Sequence, residues 1–446
     1  KQLLLAKDLI RQTLIGATSQ MPLLNSDGYW YYDTQGSRNE EFIREHRAVS
    51  MVTRIKDWDA DPIDYYLIEF KSVVSLNLAN IAKDVGPALM SRIKDPDDEC
   101  YMILENFHEG FSNLIGEIYE WVIDRYEIPP QKLILFSGAL DLQQKFDEYV
   151  KLYGRRPFQY HSMLEFEFAV QSDWFGMIAD KHGIHARNSN GEVSPFGIDQ
   201  QITNGKAKMP NVLQSKEYPK KYLNFNRRWR LHRPLMTALL ESSDLLKLGY
   251  VSLAKSDDNR TWTTELDYII QESAHYNEGI HRVLVANREK IANIGELTLD
   301  KPDLSINQAK LETSDHIDQM YEDTYFSLVS ETIYFADYLD WEDSCFLSEK
   351  IFKAILFRHP FVLCATPHTL KYLRGLGYKT YSPVIDESYD SIDDNWLRLV
   401  AILKEVNRLC KLEGEALEDY LKFCREIAEH NFNVLLNKRE FIYKHT

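Results

Sequence analysis

From Cys100 onward, short apolar runs alternate with longer stretches whose apolar residues recur every three or four positions. The runs at 101–104 and 132–136 are of strand length, while 111–126 and 140–153 carry the helical period. A further run at 163–170 alternates between two faces, as a half-buried strand does. Helix and strand signals interleaved in this way predict an α/β unit wound around a parallel sheet. Ahead of it, 1–95 reads as an irregular, partly helical opening. Within that opening, 21–33 (MPLLNSDGYWYYD) is a turn-rich loop, 57–64 (DWDADPID) an acidic loop interrupted by proline, and 65–70 a strand.

After a polar, turn-rich excursion over 172–220 the alternation resumes. Strands are expected at 222–225, 249–253, 325–329 and 360–364, and helices at 234–247, 368–375 and from Glu349. The Glu349 helix carries an apolar stripe at Ile351, Phe352, Ile355 and Leu356, and Gly377 lies just past the next helix as a stop signal. Between the second and third of these strands, 262–293 reads as mostly polar helix. The chain closes on two helical stretches, from Asn395 and over 416–436. The domain expectation is therefore α/β, with two Rossmann-like domains at 1–215 and 216–395 and C-terminal helices over 396–446.

Composition narrows the class. With 446 residues, 44% hydrophobic and 27% charged, the chain has material for more than one core. No window approaches 18 uninterrupted apolar residues, so no membrane span is expected. The five cysteines lack paired or CxxC spacing, which fits reduced core thiols of a cytoplasmic protein and argues against zinc. A net charge of −16 opposes wholesale wrapping of nucleic acid, which needs a basic surface.

Against that acidity, the strand ending near Phe225 runs into NRRWRLHR, with arginines at 227, 228, 230 and 233. Arginine forks match phosphate oxygens, so a pyrophosphate clamp and a nucleic-acid contact compete as explanations. A second concentration is Ser330-Glu331-Thr332 at a strand end, and a third is Glu349-Lys350 at a helix start. A carboxylate there accepts from a diol, and the ammonium with free helix N–H groups faces an anion. The same glutamate also serves simply to complement the helix dipole. In the first half, His108-Glu109 follows a strand end, where parallel sheets present their functional side chains. Glu109 is the candidate general base and His108 the second; the alternative is that this loop only caps the next helix. No DxD pair follows a strand, so no metal is expected.

The segment 330–332, then FLSEK at 346–350, Ala354 and the 360–363 strand resembles the donor-site segment of GT-B glycosyltransferases. Within these it is most similar to the fucosyltransferase-like group, with its Glu-Lys donor helix. The Asn226-Arg227 and His232-Arg233 steps likewise resemble the first strand and loop of a GT-B donor domain, where an arginine meets the diphosphate. The resemblance covers about residues 226–389. It implies two domains facing each other across a cleft, with terminal helices that cross back to the first. It implies too a nucleotide-sugar donor held by Asn226, Arg227, Arg233, Ser330, Glu331, Thr332, Glu349 and Lys350, and no cofactor beyond that co-substrate. Where that group carries Asn-Ser, this chain has Glu331-Thr332, so neither fucose nor guanine is carried over. The expected activity is metal-independent, inverting transfer to a surface glycan. Transfer to a modified base of phage DNA, or a nucleotide- or sugar-binding module without turnover, stands as the alternative.

Overall fold

The computed structural model describes residues 87–98, 100–106, 114–162, 217–226, 230–254, 260–274, 278–297, 315–335 and 344–437. It also describes strand segments at 22–24, 30–32, 48–55 and 63–70, and single positions at 167, 213 and 299. The chain divides into two compact units, residues 1–163 with 446, and 164–445. Both are α/β, built on parallel strands joined by helices.

In the first unit β1 (Pro22–Leu24) and β2 (Trp30–Tyr32) pair antiparallel. Within the stretch expected as a turn-rich loop, these two apolar and aromatic segments are strands. The main sheet runs β3 (Ala48–Ile55), β4 (Ile63–Phe70), β5 (Cys100–Asn106), β6 (Leu133–Ser137) and β7 (Gln159–Ser162) in sequence order. Only the β3–β4 pair is antiparallel. Crossovers that always step the same way carry α1 (Pro87–Lys94), α2 (Leu114–Ile118) and α3 (Leu142–Tyr153) to one face. There Met102, Leu104, Leu133 and Leu135 of the sheet pack with Ile118, Val122, Leu142 and Phe146.

Two expectations bear on this sheet. Its last described strand lies at 159–162, where Gln159–Ser162 forms the ladder with β6, and the strand expected at 163–170 lies, apart from position 167, outside the described residues. The helix expected over 111–126 is described from Leu114 and widens into a π-helical turn at Tyr119–Asp124. The parallel strands of this sheet step in a single direction, without the order reversal that creates a ligand crevice in doubly wound sheets.

The second unit has four parallel strands: β8 (Tyr222–Asn226), β9 (Gly249–Leu253), β10 (Phe326–Ser330) and β11 (Phe361–Cys364). Across the sheet they stand in the order β11-β10-β8-β9. The order reverses between β8 and β10. Right-handed crossovers then put α4 (His232–Ser242) and α9 (Glu349–Leu356) on opposite faces. Between β9 and β10 the polar stretch resolves into α5 (Trp262–Ser273), α6 (Glu278–Ala286) and α7 (Arg288–Ile294), followed by α8 (Asp315–Glu322). At the start of β9 a glycine is required, because a Cβ at Gly249 would run into the Tyr222 ring.

The unit closes with α10 (Thr369–Gly375), α11 (Asn395–Cys410) and α12 (Gly414–Asn437). Within the second unit these terminal helices are tied to the sheet and to α9. Tyr325 Oη donates to Leu409 O at 2.7 Å, and Arg358 pairs with Glu429 at 2.7 Å. Arg398 of α11 is 1% exposed. Its guanidinium donates to the carbonyls of Ala365 (3.2 Å), Ile392 (2.8 Å), Asp393 (3.0 Å) and Tyr334 (2.6 Å), and to Asn395 Oδ1 (2.6 Å). One side chain thus ties together the loops that follow β10 and β11. Among the described residues no helix is long and apolar enough to cross a membrane.

Candidate functional site

Because β8 and β10 are adjacent and parallel, their C-terminal ends lie level. Leu223 stands opposite Ser327, and the same register carried forward sets Asn226 beside Ser330. Where strand order reverses, helices leave neighbouring strands toward opposite faces and open a crevice at the carboxyl ends. Around that crevice the sequence supplies Asn226, Ser330-Glu331-Thr332, the start of α4 at His232-Arg233, and the start of α9 at Glu349-Lys350.

The turn after β10 is held by the start of α4. Arg233 Nη2 donates to Ser330 O at 3.3 Å and Glu331 O at 3.1 Å, and His232 Nε2 donates to Glu331 O at 3.1 Å. The His232 ring stacks on Tyr334 at 5.1 Å. Burial, reinforced by the neighbouring Arg233 charge, holds the His232 pKa well below its ordinary value, so the ring is neutral. Burial and the nearby Arg230 lower Arg233 to about 10, which leaves it cationic at neutral pH. At 3% exposure its charge reaches the crevice, while these hydrogen bonds serve the fold.

The start of α9 is tied to the same turn. Ser348 is the N-cap, its side chain accepting from Lys350 N at 3.4 Å. Glu331, 0% exposed, reaches across to it. Its Oε2 accepts from Ser348 N at 3.2 Å, from Thr332 N at 3.3 Å and from the Ser348 hydroxyl. Its Oε1 is buried with no hydrogen-bond partner. Burial raises the Glu331 pKa, opposed by Lys350 and by the Ser348 hydroxyl. Lys350 Nζ contacts Glu349 Oε1 at 2.9 Å, Ser348 Oγ at 3.1 Å and Thr332 Oγ1 at 3.5 Å. For Glu349 burial acts upward, but Lys350 and Lys353 outweigh it and bring the pKa to about 2. A carboxylate–ammonium pair at the helix start, 13% and 21% exposed, therefore stands next to a second, fully buried carboxyl.

The strand side contributes two asparagines on one face. Asn224 Nδ2 donates to Leu328 O at 2.6 Å and Ser330 Oγ at 3.1 Å, and Asn224 Oδ1 accepts from Asn226 Nδ2 at 2.5 Å. Asn226 Oδ1 is buried and has no partner.

The structure thus brings together Asn226, Arg233, Ser330, Glu331, Thr332, Glu349 and Lys350. Arg227 of the same set, and the candidate bases Glu109 and His108, lie outside the described residues. Arg233, in addition to the part expected of it, orients the loop through donors that reach main-chain carbonyls. Asn224, Ser348 and Arg398 had been given no part. Two of them were legible: asparagines two apart in a buried strand share a face, and serine before Glu-Lys is an N-cap signal.

No family model, no curated protein and no solved structure matches this chain.

Proposed function

We propose that the chain is a nucleotide-sugar-dependent glycosyltransferase of the GT-B type, with its donor site at the strand-order reversal of the second unit. The observation that carries this reading is the Glu349-Lys350 pair at a capped helix start, beside the ends of β8 and β10. In the Mechanism that follows from it, Lys350 exchanges Glu349 for the donor's diphosphate, assisted by the fixed charge of Arg233. The released Glu349 takes up hydrogen bonds from donor hydroxyls in its place. An acceptor hydroxyl, deprotonated by Glu109 or His108, attacks the anomeric carbon. The bond from that carbon to the diphosphate oxygen breaks, and its electron pair leaves with the diphosphate. In-line displacement inverts the carbon, and cationic side chains do for the leaving group what a metal does in other transferases.

The GT-B pairing of two domains across a cleft belongs to this reading, as does a surface glycan as acceptor. Phage DNA as acceptor loses part of its motivation, because one of the four arginines that suggested it is turned into the fold.

A thermal-shift series with UDP, GDP, CDP, ADP and their common sugars, on wild type and Lys350→Ala, tests the proposal. A donor at a hundred times its dissociation constant adds about 2.7 kcal/mol to wild type, and the variant loses that gain. If no nucleotide stabilises the wild type, the reading falls. Stabilisation without turnover on any glycan or DNA acceptor leaves the binding-module alternative.

A further inference from the structure

Two side-chain oxygens at the ends of adjacent strands are buried and lack partners, Asn226 Oδ1 and Glu331 Oε1. Buried polar atoms are satisfied in the great majority of cases, so orphans at a strand-order reversal point to a missing ligand. The character of the first is dictated by its neighbours. Leu328 O only accepts, so the Asn224 atom facing it at 2.6 Å must be the amide nitrogen. The other Asn224 atom is then an oxygen, and the Asn226 atom facing it must be a nitrogen. What remains of the Asn226 amide is an acceptor, and no rotation of the group is free to change it.

Glu331 Oε1 is less restricted. Its partner oxygen already accepts three donors, so Oε1 accepts when the carboxyl is ionised and carries the proton when it is not. A phosphate oxygen cannot serve Asn226 Oδ1, since neither atom has a hydrogen to give. A hydroxyl serves both atoms in either state of Glu331. Adjacent strands lie about 4.8 Å apart, a spacing that two neighbouring hydroxyls of one sugar ring can span.

We infer that Asn226 and Glu331 form a hydroxyl-binding subsite for a sugar ring, and that Asn224 is the positioning residue that fixes Asn226 as its acceptor. The inference rests on the donor-site reading and adds to it. It sets phosphates at the Lys350 side of the crevice and hydroxyls at the strand ends. The shared chemistry is a pair of neighbouring hydroxyls, belonging either to the ribose or to the transferred sugar.

Calorimetric titration separates these outcomes. The ligands are UDP, GDP, CDP and ADP, their 2′-deoxy counterparts, and the matching nucleotide sugars. The proteins are wild type, Asn226→Ala and Asn224→Ala. If the ribose fills the subsite, wild type prefers the ribo form by about tenfold, and both variants lose that preference while still binding the deoxy form. If the transferred sugar fills it, the preference appears instead for nucleotide sugar over free diphosphate, and again both variants erase it. A purely structural role would weaken every ligand by the same factor and leave the ratios intact, which overturns the inference. Diphosphates that bind wild type with neither preference also overturn it, and the donor reading then stands alone. If no nucleotide binds, the donor reading has failed and the subsite falls with it. Should Asn224→Ala not fold, the wild-type ratios and Asn226→Ala decide the matter unaided.

Discussion

Arg398→Ala lowers the unfolding free energy of the second unit by about 4 kcal/mol, read as a shift in the denaturant midpoint at constant slope. The side chain is 1% exposed, and it donates to four main-chain carbonyls in the loops around the helix and to the Asn395 side-chain oxygen at its start. Removing it leaves carbonyls of Tyr334, Ala365 and Ile392 desolvated without donors, each at about 1–3 kcal/mol before relaxation. It also removes the cation over the Tyr334 ring, at 4.4 Å. Lysine does not rescue the loss, because one ammonium with three donors cannot span oxygens arranged around a planar fork. A change of less than about 1 kcal/mol would mean that these turns are held from elsewhere. The loss should extend to the donor site, since Tyr334 lies three residues from Glu331 and its ring stacks on His232.

The second large effect is acid lability that begins well above the carboxylate range. His359 is sealed between Ser327 Oγ at 2.7 Å and Thr324 O at 3.1 Å, and burial brings its pKa to about 3. His232 is held low in the same sense. An unfolded histidine takes a proton near pH 6.5, and these two native ones refuse it. Their stabilising contribution is thus whole above pH 6.5 and is lost as the pH falls toward their native values. His359 adds a slope of about 1.4 kcal/mol per pH unit and removes about 2.5 kcal/mol between pH 6.5 and 4.5, and His232 acts in the same direction. Buried Glu331, Glu387 and Asp390, with raised pKa values, act in the opposite direction. The histidine part is therefore measured as a difference: His359→Gln should flatten the pH dependence of unfolding by about one such slope. Parallel curves for wild type and variant would contradict it.

Much of this unit was legible in the sequence, for a definite reason. A strand buried on both faces reads as an uninterrupted apolar run, and the 360–364 run fell within a residue of β11, while 249–253 matched the half-buried edge strand β9. The start of α9 was legible because its cap, its first-turn acid and its apolar stripe agree with one another. Strand order was not, because nothing local in β8 or β10 says that they become neighbours. That single fact turns three separate motifs into one site. The part played by Arg233 was likewise out of reach: an arginine aimed at phosphate and one aimed at carbonyls look alike in sequence. Arg398 sits among leucines in an amphipathic helix, with no signal that its charge is buried.

The five cysteines make the protein its own reporter of opening. All five are buried, and burial raises the thiols of Cys364 and Cys410 to about 12. A thiol reagent at neutral pH therefore meets almost no thiolate while the fold is closed. Cys100 lies in the first unit and the other four in the second. Pulse alkylation followed by peptide mapping should date the opening of each unit separately, with no introduced probe. If the second unit holds the proposed donor site, nucleotide added during the pulse should slow labelling at Cys364, which pairs with Ser330 in the sheet, before it slows labelling at Cys100.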